Sequence, residues 1–121
     1  MPATLYKKGY THAHELIEHG RVTRDKRDDW SEHKPSAEDE NEFIRRHGLE
    51  EFGKWHLGVD PNEDTQTKGH YTFPYGDFKT VHRCAVISAE SRAGQYKHFD
   101  IEKAAKELLT MIDAEVPSAS R

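Results

Sequence analysis

Residues 67–113 constrain this chain more than any other part: an aromatic alternation, a Pro-Tyr-Gly-Asp break, then two consecutive helical patterns. The second pattern is the cleaner one. Ile101, Ala104, Ala105, Leu108, Leu109 and Ile112 recur at i, i+3 and i+4, so the spacing predicts a helix over 101–113, with Asp100 as its cap. Upstream, Cys84-Ala85-Val86-Ile87 is apolar around most of a helical circumference. Residues 78–96 are therefore expected to form a long, heavily covered helix capped by Asp77. Ala85, Ser88, Ala89 and Ala93 are small enough to admit a close neighbour, and the two helices are expected to pair as an antiparallel hairpin.

Two strands are expected before them. Trp55, Leu57 and Val59 alternate with Lys54, His56 and Gly58, which predicts a half-buried strand over 54–60. Tyr71, Phe73 and Tyr75 predict a second over 70–75, which ends or lies at a sheet edge because Pro74 cannot donate to a ladder. The acidic loop between them makes a hairpin connection. Nearer the N-terminus, Thr11 and Gly20 bracket a helix over 11–19 whose apolar positions are Ala13, Leu16 and Ile17. Residues 21–24 read as a short strand, and 24–35 as a charged turn anchored by Trp30. Ser36-Ala37-Glu38-Asp39 is a variant capping box that opens a helix to about His47, with Gly48 as its stop and one further turn over 49–52.

The sum is a single α+β domain: a small antiparallel sheet packed against a C-terminal helical hairpin, with N-terminal helices. Residues 11–113 are the expected ordered core and 114–121 a frayed tail. At 121 residues, with 34% hydrophobic and 33% charged, the chain can build only a small core under a densely charged surface. Eighteen basic and twenty-two acidic residues are well mixed, for a net charge of −4, so nucleic acid is not favoured as a partner. The one cysteine, Cys84, excludes an intramolecular disulfide and fits a reducing compartment. No run approaches the roughly 20 apolar residues of a membrane span, so no membrane partner and a cytoplasmic location are expected.

Several groups of residues carry chemistry. In the first helix, His12, Glu15 and His19 fall at i, i+3 and i+7 on one face and could offer ligands to a divalent metal such as zinc. The plainer reading is a solvated face opposite Leu16 and Ile17. Asp60, Asn62 and Asp64 match the first ligand positions of a calcium loop, but Thr65 and Tyr71 stand where it needs glycine and glutamate. Cys84 lies in the most apolar stretch and is read as core, while His82 and Arg83 project from other sides of the expected helix. No catalytic set is legible. Tyr71, Phe73 and Tyr75 could stack on single-stranded bases, with Lys68, Lys79, Arg83, Arg92 and Lys97 nearby, although packing on the C-terminal helices is the expectation.

The block Phe52-Gly-Lys-Trp-His-Leu-Gly-Val-Asp60, the segment Thr67-Lys-Gly-His-Tyr-Thr-Phe-Pro-Tyr-Gly-Asp-Phe78, Val81-His-Arg-Cys84 and Glu90-Ser-Arg-Ala-Gly-Gln-Tyr-Lys-His98 run through most of the chain. Together they resemble a family of small bacterial proteins known only as a domain of unknown function. The strand–proline–helix–helix part is also similar to accessory segments of phage-encoded proteins, some associated with head-maturation proteases. That likeness implies a link to mobile elements and carries over no catalytic residue.

The function expected from the sequence is a non-enzymatic protein-interaction module. Its candidate surface is His56, His70, Tyr75, His82, Arg83 and Arg92, at the strand-to-helix junction, and its partner another protein. One alternative is a metal-binding protein or metal-dependent enzyme using clustered histidines. A second is single-stranded nucleic-acid binding through the aromatic strand.

Overall fold

The computed structural model describes residues 2–114. Residues 115–121, and with them almost all of the expected tail, lie outside the described part. Two short strands and one helix open the chain: β1 (Thr4–Leu5), α1 (Lys7–Glu18) and β2 (Val22–Thr23). Three helices follow, α2 (Trp30–His33), α3 (Ala37–His47) and α4 (Leu49–Gly53). A hairpin of β3 (His56–Val59) and β4 (Tyr71–Pro74) leads through β5 (Val81–His82) into α5 (Arg83–Gln95) and α6 (Phe99–Ala114). This is the expected α+β class.

The main sheet is antiparallel, in the order β1-β3-β4, with Leu5 opposite Gly58 and Gly58 opposite Thr72. Strand β4 lies at its edge and ends on Pro74, as a residue without an N–H requires. The alternation expected of 54–60 does not survive, because His56, Leu57 and Gly58 are all buried. The face that carries Gly58 is covered as well as the Leu57 face, with Ile101 of α6 where a Gly58 Cβ would reach, and α1 lies so close to the strand that a Cβ on Gly9 would overlap the His56 carbonyl oxygen. Helix α1 begins at Lys7, one turn before the expected Thr11, and so takes in Gly9. A glycine inside a helix costs about 1 kcal/mol against alanine, and here it permits the approach of helix to strand.

Ser36 and Asp39 form the expected reciprocal cap of α3, with Asp39 N–H donating to Ser36 Oγ at 3.0 Å and Ser36 N–H to Asp39 Oδ2 at 3.1 Å. Helices α5 and α6 are joined by residues 96–98 and pack together, burying Ala85, Ala89 and Ala93 with Ile101, Ala105, Leu108 and Ile112.

The largest correction concerns Asp77. It caps no helix: its carboxylate accepts from the N–H groups of Lys79 (3.0 Å) and Thr80 (2.9 Å) in a tight turn. Phe78 then takes φ +72°, a left-handed conformation that no helix interior tolerates. Residues 81–82 instead form β5, which pairs parallel with β2 in register Val22↔Val81 and Thr23↔His82. The long helix therefore starts five residues late, at Arg83. This displacement creates the site described next.

Candidate metal centre

The β2–β5 register sets a constant offset: 22 faces 81 and 23 faces 82. Carried two residues on, it brings Asp25 to Cys84. Asp25 Oδ1 accepts the Cys84 N–H at 2.8 Å, and Oδ2 lies 3.0 Å from its Sγ. Asp25 thus serves one of the free N–H groups at the start of α5, whose N-cap residue makes no side-chain cap of its own. His82 ends β5 with Nδ1 2.7 Å from the same Oδ2. The turn after β2 ends in α2, and its last residue, His33, returns Nδ1 to Oδ2, also at 2.7 Å.

Asp25, His33, His82 and Cys84 each offer one donor atom, and all of these atoms lie within 4.8 Å of one another. Among the described residues no other group of three or more such side chains meets that condition. The side chains of Asp25 and His82 are 5% and 7% exposed and Cys84 is fully buried, while His33 closes the cluster from the solvent side.

Asp25 Oδ2 has three close polar neighbours, more than the two lone pairs of one carboxylate oxygen can serve well. A cation among the four donors resolves that crowding. Tetrahedral zinc, with bonds of about 2.0–2.3 Å, holds its ligands about 3.3–3.7 Å apart. The distances of 2.7–3.0 Å about Oδ2 would have to open by roughly half an ångström, with loss of the thiol proton and of the Nδ1 protons. Behind His82, Nε2 lies 3.0 Å from Asp77 Oδ2, off the line of a good hydrogen bond. A carboxylate behind a ligating imidazole is the usual support for a metal-bound histidine.

The electrostatics agree with a charged hub. Burial works against ionisation of Asp25, but hydrogen bonds from the Cys84 thiol and N–H and from His33 and His82 outweigh it and hold the carboxyl far below its usual range. The hydrogen bond to Asp25 raises the His33 pKa. Burial first, and then the neighbouring Asp25, push the Cys84 thiol well up. Without a cation this cysteine is a poor nucleophile; a bound ion would deprotonate it outright. Trp30 leans on the His82 ring at 5.6 Å and shields the cluster on one side.

The residues singled out from the sequence are scattered. His12 donates towards the buried Tyr75 hydroxyl at 2.9 Å, and His19 Nδ1 returns to the Glu15 carbonyl at 2.7 Å, so His12, Glu15 and His19 form no ligand set. His56 and Tyr75 are 5% and 0% exposed and belong to the interior, not to a binding surface. His70 is tied to the Asp60 carbonyl, and Arg83 to Asp113 at 2.9 Å. Arg92 stands over the Phe73 ring. Only His82 of these belongs to the cluster. Phe73 and Tyr75 are buried, so the aromatic strand offers no platform for bases. Asp60 and Asp64 cap their own loop through Asn62 N–H and Gln66 N–H.

A scan against protein-family models, a search of curated proteins and a search of solved structures returned no match to this chain.

Proposed function

We propose that the protein binds one divalent transition ion, zinc by the chemistry of the donors, through Asp25 Oδ2, His33 Nδ1, His82 Nδ1 and Cys84 Sγ. The observation that carries this reading is the convergence of four donors from separate places in the chain, with three polar atoms crowded on one carboxylate oxygen. A set of one thiolate, two imidazoles and one carboxylate suits zinc and disfavours calcium or magnesium.

Four protein ligands complete a tetrahedron and leave no position for a substrate, which favours a structural ion over a catalytic one. In this reading the ion pins the 24–35 segment to the start of α5 and the protein acts as a non-enzymatic binding module. The metal alternative raised by the sequence is kept, with a different ligand set. No helix among the described residues is long and apolar enough to cross a membrane. The buried free thiol fits a reducing compartment, and we assign the protein to the cytoplasm on that ground.

Elemental analysis of untagged protein tests the reading. The expected result is one zinc per chain, and cobalt substitution should give a thiolate-to-cobalt charge-transfer band that Cys84→Ser abolishes. Protein that takes up no stoichiometric zinc or cobalt, or whose band survives Cys84→Ser, overturns it.

A further inference from the structure

Two cavities adjoin under the α2 turn, sharing Trp30, Lys34 and Pro74 as walls. The first, about 320 Å³, is aromatic: Trp30, Trp55 and Phe78 face it, together with His56. His56 is 5% exposed and donates Nδ1–H to the Phe52 carbonyl at 3.1 Å. Burial lowers its pKa to about 4, so the ring is neutral and Nε2 is left as an acceptor. The second, about 380 Å³, is cationic: Arg27, Lys34 and Arg92 line it against one acid, Asp28. None of these three cations forms an ion pair among the described residues. The Arg92 guanidinium lies 5.8 Å from the centre of the Phe73 ring, which holds it at the cavity wall.

From these two halves we infer a binding site for a small planar aromatic molecule that carries an anionic group and a ring-borne N–H donor, of about mononucleotide size. The cavities lie in the range of about 300–1,000 Å³ typical of small-ligand sites. The ring fits between Trp30, Trp55 and Phe78, with its N–H towards His56 Nε2. The anion belongs at the arginine end. The aromatic end repels it, because the first turn of α3 carries Glu38, Asp39 and Glu40, and Glu40 lines that cavity while paired to Lys68 at 3.1 Å. The ligand chemistry is shared by a free nucleotide and by an aromatic carboxylic acid. The inference goes beyond the metal reading and does not depend on it.

Trp30 and Trp55 are the two tryptophans of the chain, and both line the aromatic cavity, so their indole N–H signals in a nitrogen-15 spectrum report occupancy. The full chain is titrated with AMP, indole-3-acetate, adenosine and inorganic phosphate, once with zinc and once with chelator. Saturable shifts of both indole signals by AMP or by indole-3-acetate, in either state of the metal, support the site and identify which source of aromatic anion it takes. Adenosine should bind at least about tenfold more weakly than AMP if AMP is the occupant, and Arg27→Gln with Arg92→Gln should cost the anion about tenfold or more. Both arginines are exposed, so the double variant should fold. Silence of both signals towards both aromatic anions in both states overturns the inference. So does equal affinity of the double variant, or phosphate alone binding as tightly as the aromatic anions.

Discussion

Asp25→Asn separates the contribution of the carboxylate from that of a bound ion. In the metal-free protein the substitution removes a charged acceptor shared by His33, His82 and the Cys84 thiol, while the asparagine oxygen can still accept the Cys84 N–H. Hydrogen bonds to a charged group are worth about 1.5–3 kcal/mol each, and their loss is partial here, so a destabilisation of about 2–4 kcal/mol is expected. At about 2.1 cal/mol/K per residue, a chain of 121 residues unfolds with an entropy near 250 cal/mol/K, so each kcal/mol shifts Tm by about 4 °C. The metal-free variant should therefore melt about 8–16 °C below wild type. An ion that binds only the folded state and is present at about a thousand times Kd adds about 4 kcal/mol, or roughly 16 °C, to wild type. If asparagine weakens the site by about a hundredfold, some 2.7 kcal/mol of that gain disappears and the zinc-induced shift falls to about 5 °C. Thermal melts of both proteins, each in zinc and in chelator, read all four values. A wild type with the same Tm in zinc and chelator, or a variant that keeps the full zinc shift, refutes the assignment. A His12→Ala, His19→Ala variant should retain the shift, since neither residue reaches the cluster.

Asp77→Asn should weaken zinc binding by about 10–100-fold in competition with a chromophoric chelator, because the group behind His82 loses its charge. Its metal-free Tm should hardly move, since asparagine can still accept from Lys79 and Thr80. The folded pKa of His56, about 4, lies below the ordinary 6.5, so the unfolded chain binds the extra proton between those values. The His56 contribution to stability is then full above about pH 6.5 and falls by about 3 kcal/mol as pH drops to about 4, a slope that urea titrations should show and His56→Gln should flatten. Gly9→Ala should cost about 3 kcal/mol in the same urea assay, because its Cβ has no space against the His56 carbonyl; a neutral result would mean that α1 does not lie on β3 as described.

The elements with a strong local signal were legible in the sequence. The stripe from Ile101 to Ile112, the Ser36–Asp39 cap and the Pro74 strand end each rest on a few neighbouring residues, and each appears where expected. The failures occur where a distant partner decides. The aliphatic run Cys84–Ile87 carries a helical signal that locally reaches back to Asp77, because nothing nearby in the chain shows that Val81 and His82 pair with Val22 and Thr23. Alternation puts His56 and Gly58 on a solvent face because it reveals only one covered side. Covering of the second side comes from Ile101 of α6, far away in the chain.

The same displacement hid the site. On a helix extended over 78–96, His82 and Cys84 would be two residues apart and point away from each other, so a His-x-Cys pair there could not converge. With the helix starting at Arg83, His82 is the last residue of a strand and Cys84 lies in the first turn, and both can meet Asp25. A usable signal did exist. Thr80-Val81 is β-branched and follows a Gly-Asp turn, which weakens a helix at that point and favours a strand. Val22-Thr23 is the only adjacent β-branched pair upstream, and pairing Val22 with Val81 in parallel sets the offset of 59 that puts Asp25 on Cys84, whereas matching the two pairs residue for residue would be one short and put it on Arg83. The cluster of donors is thus written as a register, not as a motif. A search for local histidine spacing finds His12, Glu15 and His19, whose donor atoms do not converge. The four donors that do meet belong to a strand end, a helix start and a returning turn, and only the pairing of β2 with β5 makes them neighbours.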